Sequence, residues 1–424
     1  MLLKNNKIIF RHLSLTSISS VLFSLSQIII QIIVVRNSNP SDYGVFAFTF
    51  SVFNIFDLLV SGYSSDISLQ IIGKNSISTK IHEQTDALSF LFTRDIKAYS
   101  IGFFIALFFG FFVSFSDNFS FHYYLILLFG LIFNIGYSSI KSILISYNLI
   151  ELQTKYELIC VFISLVLSIS FTILGGITGY AISLSAYILL KLIVGYYIIG
   201  TKGLKISHIL KRLFNGKAAQ IMEPNMVYFS ILRNGLANLN NQLDILLLGV
   251  LPFSSTVIAQ YKVAKTLSGL PAKIVYPVWS ALRGRMVEAY YNQNLIRLKS
   301  LILRPTLVFL FIFLGAFIFS YFTAEQIVIL LFGKEFSFAA QIFIILLFGS
   351  LILQLTNNWF NFWVIIANKN QYYITSLLLQ VVFLVLSTFL IDTSIIKFSI
   401  YVAISMILGA VLQLNIFLKH SQAN

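Results

Sequence analysis

The chain has 424 residues; 58% are hydrophobic, 16% aromatic and only 10% charged, with a formal net charge of +14 and a mean hydropathy of +0.88. Soluble domains are about a quarter charged, so these totals exclude an ordinary soluble protein and point to a polytopic membrane protein. They also remove nucleic acid as the meaning of the positive charge, which is read instead by where the lysines and arginines lie relative to the bilayer.

A helix that crosses a bilayer needs about 20 mostly apolar residues. The stretches that qualify are roughly 12–35, 43–65, 98–116, 122–146, 156–174, 177–199, 226–250, 257–280, 305–323, 338–366, 372–391 and 395–418. The fold class expected from them is an all-α polytopic membrane protein of about 12 spans. The first stretch is preceded by basic residues, as a signal peptide is. Its apolar run is too long and no small-residue cleavage site follows, so it is read as a retained first span. Spans five and six are separated only by Gly175, Gly176, Ile177 and Thr178. The alternative there is one broken helix, which would remove a span.

The charges orient this map. With the N-terminus in the cytoplasm, most of the 29 basic residues fall in cytoplasmic segments, and the opposite loops hold only Arg36, Lys334 and Lys397. That bias predicts that both termini are cytoplasmic, with the basic residues meeting anionic lipid heads. The outer loops are short, the longest lying around "AEQIVILLFGKEFSF". The cytoplasmic connections are longer: 66–97, 200–225 and 281–304. In "LKISHILKRLFNGKAAQ", Ile206, Ile209, Leu210, Leu213 and Phe214 fall at helical spacing opposite Lys205, Lys211 and Arg212. This reads as an amphipathic helix on the inner leaflet.

The expected organisation is therefore a six-helix lobe over 1–200, a connector over 201–225 and a second six-helix lobe over 226–424. Gly44 and Phe46 in the first half align with Ala259 and Tyr261 in the second, both just after a Pro-containing outer turn. Six spans per half give both halves the same orientation, a parallel repeat about an axis along the membrane normal.

Several ionisable residues fall inside spans: Asp57, Lys141, Lys191, Arg233, Asp244, Lys262, Lys265 and Lys273. A charge at a helix centre costs roughly 2.5–3.5 kcal/mol on insertion scales. Lys141 and Lys273 lie near cytoplasmic ends, where a long side chain snorkels to the interface. Lys262 and Lys265 lie roughly 8 and 12 Å in from the outer end, three residues apart and hence on one face. Pairing with Asp57 or Asp244 is one reading of the cations. Two acids cannot neutralise all of them, which favours a positively charged, water-accessible cavity between the halves whose ligand is an anion. Amides accompany them: Gln27, Gln31 and Asn54, then Asn234, Asn238, Asn241 and Gln242, then Asn357, Asn358 and Asn361. Each is read first as an interhelical hydrogen-bonding group. Trp359 and Trp363 are suited either to stacking on sugar rings or to packing.

Other chemistry has no signature. There is no GxxxxGK[ST] phosphate loop, the histidines are scattered, and none has metal-ligand spacing with a cysteine or carboxylate. Cys160 lies alone in an apolar run. No cofactor is expected. A membrane glycan polymerase or ligase would want a larger outer loop rich in arginine.

Four segments carry a family resemblance. "NPSDYGVFAF" resembles the outer turn after the first span of the polysaccharide biosynthesis transporters, the O-antigen and oligosaccharide-lipid flippases of the multidrug/oligosaccharidyl-lipid/polysaccharide exporter superfamily. "EPNMVYFSILRNGLANLNNQLDILLLG" is similar to their seventh span through Pro224, Asp244 and Gly249. "STVIAQYKVAKTLSGLPAKIVYPVWSALRG" is similar to the eighth through Tyr261, Ala264, Pro271 and Pro277, and departs from it at Ala259, where the family commonly has Gly. "LFGKEFSFAAQIFIILLFG" is similar to the entry to the tenth through Gly333 and Phe336. The resemblance implies a MATE-like bundle of two lobes around a central cavity, alternating between inward- and outward-open states. It implies a polyprenyl-pyrophosphate-linked oligosaccharide as substrate, with a glycan polymerase and chain-length proteins as partners in a bacterial inner membrane. Lys262, Lys265, Arg233 and Lys191 are the candidate groups for the pyrophosphate, and Asp57 and Asp244 the candidate ion-coupling or pairing groups. A cation-coupled small-molecule exporter of the same superfamily is the alternative, and it would want an acidic cavity.

Overall fold

The computed structural model describes residues 21–57, 81–134, 150–200, 224–367, 369–390 and 394–420. Among them every regular element is helical. Helix α1 covers Val21–Arg36 and α2 covers residues 40–57. They are followed by α3 (Ile81–Val113), α4 (Phe121–Ile132) and α5 (Ile150–Gly200). Next come α6 (Pro224–Val250), α7 (Ser255–Ser268), α8 (Leu270–Tyr291) and α9 (Leu295–Phe332). A 3₁₀ turn, Lys334–Phe336, leads into α10 (Ala339–Ile366), α11 (Asn370–Ser387) and α12 (Ile395–His420). Five of the described stretches are long and apolar enough to cross a membrane, and the chain is a multi-pass membrane protein. Helix is the outcome because hydrocarbon offers no partner to a free backbone amide or carbonyl.

The 51 residues of α5 would make a straight rod of about 75 Å, far beyond the roughly 30 Å of a bilayer core. The backbone leaves helical geometry at Gly175 (φ −137°, ψ 16°) and Gly176 (φ 56°, ψ −137°). Two hydrogen bonds prove that the arms fold back on each other. Ser183 Oγ donates to Ser168 Oγ at 3.3 Å, and the Tyr156 hydroxyl donates to the Lys191 carbonyl at 2.9 Å across 35 residues. Spans five and six are therefore a hairpin, as the glycine pair predicts.

Elsewhere helices run further than expected. The segment read as an outer loop, "AEQIVILLFGKEFSF", is helical as far as Phe332, continuing α9. It meets no helix-stopping residue before Gly333, and from Ile327 to Phe332 it is wholly apolar. Likewise α3 begins at Ile81, inside the connection expected over 66–97, and the 281–304 connection is helix on both sides of a turn at residues 292–294. The amphipathic connector at 201–223 and Lys141 lie outside the described residues. Span eight is divided at Gly269 into α7 and α8, with Pro271 in the first turn of α8, where its missing N–H costs nothing.

The chain clusters into two compact units: residues 1–38 with 49–238, and residues 39–48 with 239–424. In the first, the Tyr124 hydroxyl of α4 donates to the Ala106 carbonyl of α3 at 2.8 Å, and Ser185 Oγ of α5 donates to the Ile126 carbonyl at 2.6 Å. Ser120 caps α4 by accepting from the Tyr123 N–H, and its own N–H donates to Thr49 Oγ1. Phe104, Phe108 and Phe111 of α3, and Phe115 in the turn after it, are largely exposed, as a lipid-facing stripe requires.

In the second unit, α10 packs against α7, α8, α9 and α12. A chain of buried polar groups binds the helices. Asn240 donates to Gln380, and Gln380 donates to the Ser376 carbonyl. Gln413 donates to Ser376 Oγ and Asn357 Oδ1 and accepts from Thr356. Residues 39–48 dock here too. A Cβ on Gly44 would fall 1.7 Å from the Ser255 carbonyl oxygen, so only glycine allows this approach.

Candidate functional site

Helix α6 ends and α7 begins across a four-residue turn, Leu251 to Ser254, so the two helices run antiparallel as neighbours. This brings Asn241 and Asp244 of α6 beside the second half of α7. Tyr261 and Lys265, four residues apart, share the α7 face turned to α6. Both reach Asp244. The Tyr261 hydroxyl donates to Asp244 Oδ2 at 2.7 Å, and Lys265 Nζ lies 2.6 Å from Oδ1. The Ile245 N–H donates to Oδ1 at 2.8 Å, and Lys265 also donates to the Asn241 carbonyl. The carboxylate is thus engaged on both oxygens and is 3% exposed. Burying an anion at that depth requires such a shell, because an unpaired one is strongly disfavoured.

Lys262 is different. It is one residue on from Tyr261, about 100° around the helix, and is not among the groups that hydrogen-bond to Asp244. Among the described residues its ammonium makes no hydrogen bond or ion pair, yet it lies within electrostatic range of Lys265, Lys273 and Asp244. Residues 262–273 therefore carry three cations and no acid, and the carboxylate that reaches them, Asp244, is already held by Lys265.

In the first unit a second acid is placed. Asp57 Oδ1 accepts from Asn134 Nδ2 at 2.7 Å, and Lys191 is the cation whose field acts on it. Lys191 also lies over the Tyr187 ring, 5.6 Å from its centroid. Arg233 is buried on the part of α6 that clusters with the first unit. The candidate residues thus form two groups: Asp244 with Lys265 and Lys262, and Asp57 with Lys191.

Tyr261 and Asn134 are the site partners that sequence reasoning did not single out for these roles. Their signals are weak: a tyrosine four residues before a lysine, and a lone amide in an apolar run. Trp359 and Trp363 do not present rings for sugar stacking. Both are buried, packed on Phe417 at 4.8 and 5.3 Å between centroids, and Trp359 Nε1 donates to the Leu355 carbonyl. Among the described residues no three His, Cys, Asp or Glu side chains gather into a metal-binding cluster.

No protein-family model matches the chain, and no curated protein matches it in sequence. Solved structures do resemble it. One is an inward-facing multidrug resistance MATE family transporter of the MOP superfamily, with a TM-score of 0.66 at 14% identity, covering 95% of both chains. A second is a MATE structure in the straight conformation, with a TM-score of 0.65 at 16% identity, over 98% of this chain and 96% of that one. A third is a MOP superfamily transporter from Pyrococcus furiosus Vc1, for which reverse polarity of the binding pocket suggests a different function. Its TM-score is 0.66 at 16% identity, over 97% of this chain and 96% of that one. At these identities the likeness is one of fold, and the fold is that of the MATE transporters.

Proposed function

We propose that the chain is a flippase. It moves a polyprenyl-pyrophosphate-linked oligosaccharide, an O-antigen or capsule repeat unit, from the cytoplasmic to the periplasmic leaflet of a bacterial inner membrane by alternating access. The observation that carries this reading is the charge imbalance over residues 262–273, where Lys262, Lys265 and Lys273 stand against Asp244 alone. Uncompensated cations in a membrane span are costly, and binding an anionic headgroup offsets that cost. Lys262, Lys265, Arg233 and Lys191 are the cationic substrate-binding groups, and Asp57 and Asp244 the ion-coupling or pairing groups. The two lobes are 1–200 and 226–424, joined by the connector 201–225, with both termini cytoplasmic. A glycan polymerase and chain-length proteins act on the delivered unit. The sequence holds no ATPase or hydrolase motif, which supports a transporter and not an enzyme.

The fold is also that of multidrug resistance transporters, so cation-coupled export of a small molecule is the second reading. The Pyrococcus furiosus neighbour supports the idea that one fold carries pockets of different polarity. The excess of lysine over residues 262–273 favours the anionic substrate.

The deciding experiment is deletion of the gene in its host, with lipid-linked repeat units assayed by leaflet. Single units held on the cytoplasmic side, without surface polymer, support the flippase. Single units that reach the outer side unpolymerised point to a polymerase and overturn it. A Lys262→Ala, Lys265→Ala double variant is expected to be expressed normally and to make no surface glycan.

A further inference from the structure

The proposed function makes Lys262 and Lys265 equivalent cations. Their surroundings do not. Lys265 is clamped by Asp244, whose two oxygens are filled by Lys265, Tyr261 and the Ile245 N–H. The carboxylate is buried, with 4% of its side chain exposed, whereas 23% of the Lys265 side chain is exposed. A ligand can thus touch Lys265 but not Asp244. Lys262, three residues earlier on the same helix, holds no counter-ion among the described residues. Of two neighbouring cations, one lacks a counter-ion among the described residues and the other is already answered by an anion that belongs to the protein.

We propose that Asp244 is a built-in competitor for Lys265, a positioning residue that sets how tightly the cationic site holds its anionic substrate. This rests on the flippase reading. A diphosphate carries more charge than one lysine neutralises, so once seated on Lys262 it draws Lys265 away from Asp244. The exchange trades one charge-assisted pair for another, so it adds little net affinity. When the carrier reorients, Asp244 reclaims Lys265 and the anion is left on Lys262 alone. A carrier must bind its cargo firmly enough to load and weakly enough to unload, and a resident carboxylate supplies the second half of that requirement. Tyr261 and the Ile245 N–H keep Asp244 aimed at Lys265 whether or not the substrate is present.

The test uses the full-length protein purified in detergent, titrated with farnesyl pyrophosphate, a short soluble stand-in for the polyprenyl diphosphate. Asp244→Asn frees Lys265 and is expected to tighten binding about tenfold, the scale of one pair coupling between close charges. Adding Lys265→Met to Asp244→Asn is expected to abolish that gain. Lys265→Met alone leaves the carboxylate unanswered beside Lys262 and is expected to weaken binding about tenfold or more. A merely structural Asp244 would lower thermal stability without tightening binding, so unchanged or weaker binding by Asp244→Asn overturns the proposal. If Asp244→Asn does not accumulate, Lys265→Met decides alone, and unchanged affinity in that variant overturns it. Failure of the wild-type protein to bind the probe at all defeats the substrate reading as well. Wild-type binding that depends on Lys262 but is indifferent to Asp244 defeats only this inference.

Discussion

Gly44 to Ala is the smallest perturbation with a large expected cost. The added Cβ would lie 1.7 Å from the carbonyl oxygen of Ser255 and 2.5 Å from its carbonyl carbon, and real Cβ contacts essentially never fall below 3.0 Å. Both clashing atoms are backbone, at the first residue of α7, so no side chain can swing away to relieve them. The first turn of α2 must retreat by more than about 1 Å, in an interior as dense as an organic crystal. Tyr43, Phe46 and Phe48 flank the site and are at most 4% exposed, so the retreat also loosens their packing. Overpacking costs typically about 1–3 kcal/mol, and a backbone clash of this depth belongs at the upper end, about 3 kcal/mol. The three tryptophans of the chain, Trp279, Trp359 and Trp363, all lie in the unit that receives residues 39–48. Intrinsic fluorescence during unfolding in detergent therefore reports on the affected unit. Gly315→Ala is the control. Nothing lies within 4 Å of its added Cβ, and in the middle of α9 it is expected to be neutral or to stabilise by up to about 1 kcal/mol. An unchanged midpoint for Gly44→Ala would refute the argument that the glycine is there for the close approach.

Gly176→Ala places a side chain at φ 56°, ψ −137°, a conformation costing about 1–3 kcal/mol. The expected result is earlier exposure of the buried Cys160 thiol, in the same hairpin, to a fluorogenic maleimide on heating. Gln413→Leu removes the bonds to Thr356, Asn357 and Ser376, each worth about 0.6 kcal/mol in a membrane core, and is expected to cost about 2 kcal/mol by tryptophan fluorescence. Arg297→Ala breaks the pair with Glu288 at 3.3 Å, roughly half exposed on both sides, and is expected to change stability by less than about 0.5 kcal/mol in the same assay.

The acidic-Tyr-Gly core of "NPSDYGVFAF" stands out in the sequence as a pattern, and its physical basis is tertiary. Gly44 lies within a helix, not in a turn, and what demands glycine is the Ser255 backbone more than two hundred residues away. The segment Ala324–Phe332 shows the opposite limit. An apolar run beside a span reads equally as loop or as helix, and the structure continues α9 through it because nothing stops it there. The tryptophans of α10 were legible as an i, i+4 pair, but which side of the helix is lined by Phe417 depends on α12, so packing and sugar stacking were indistinguishable without it.

Composition, the lengths of the apolar runs and the glycine pair at 175–176 were enough to establish a helical, multi-pass membrane protein and to locate its intramembrane cations. That part is local: hydrocarbon compels each apolar segment to satisfy its own backbone as a helix, and a charge within such a segment is visible wherever it falls. Which cation is answered is not local. Lys262 and Lys265 are nearly interchangeable in the sequence, and they differ because the α6–α7 turn sets a register in which Asp244 and Tyr261 meet Lys265, while Lys262, a third of a turn away from Tyr261, has no such partner. Charge pairing falls off steeply with distance and direction, so only the packing of one helix against the other could assign the single carboxylate to one of the two lysines.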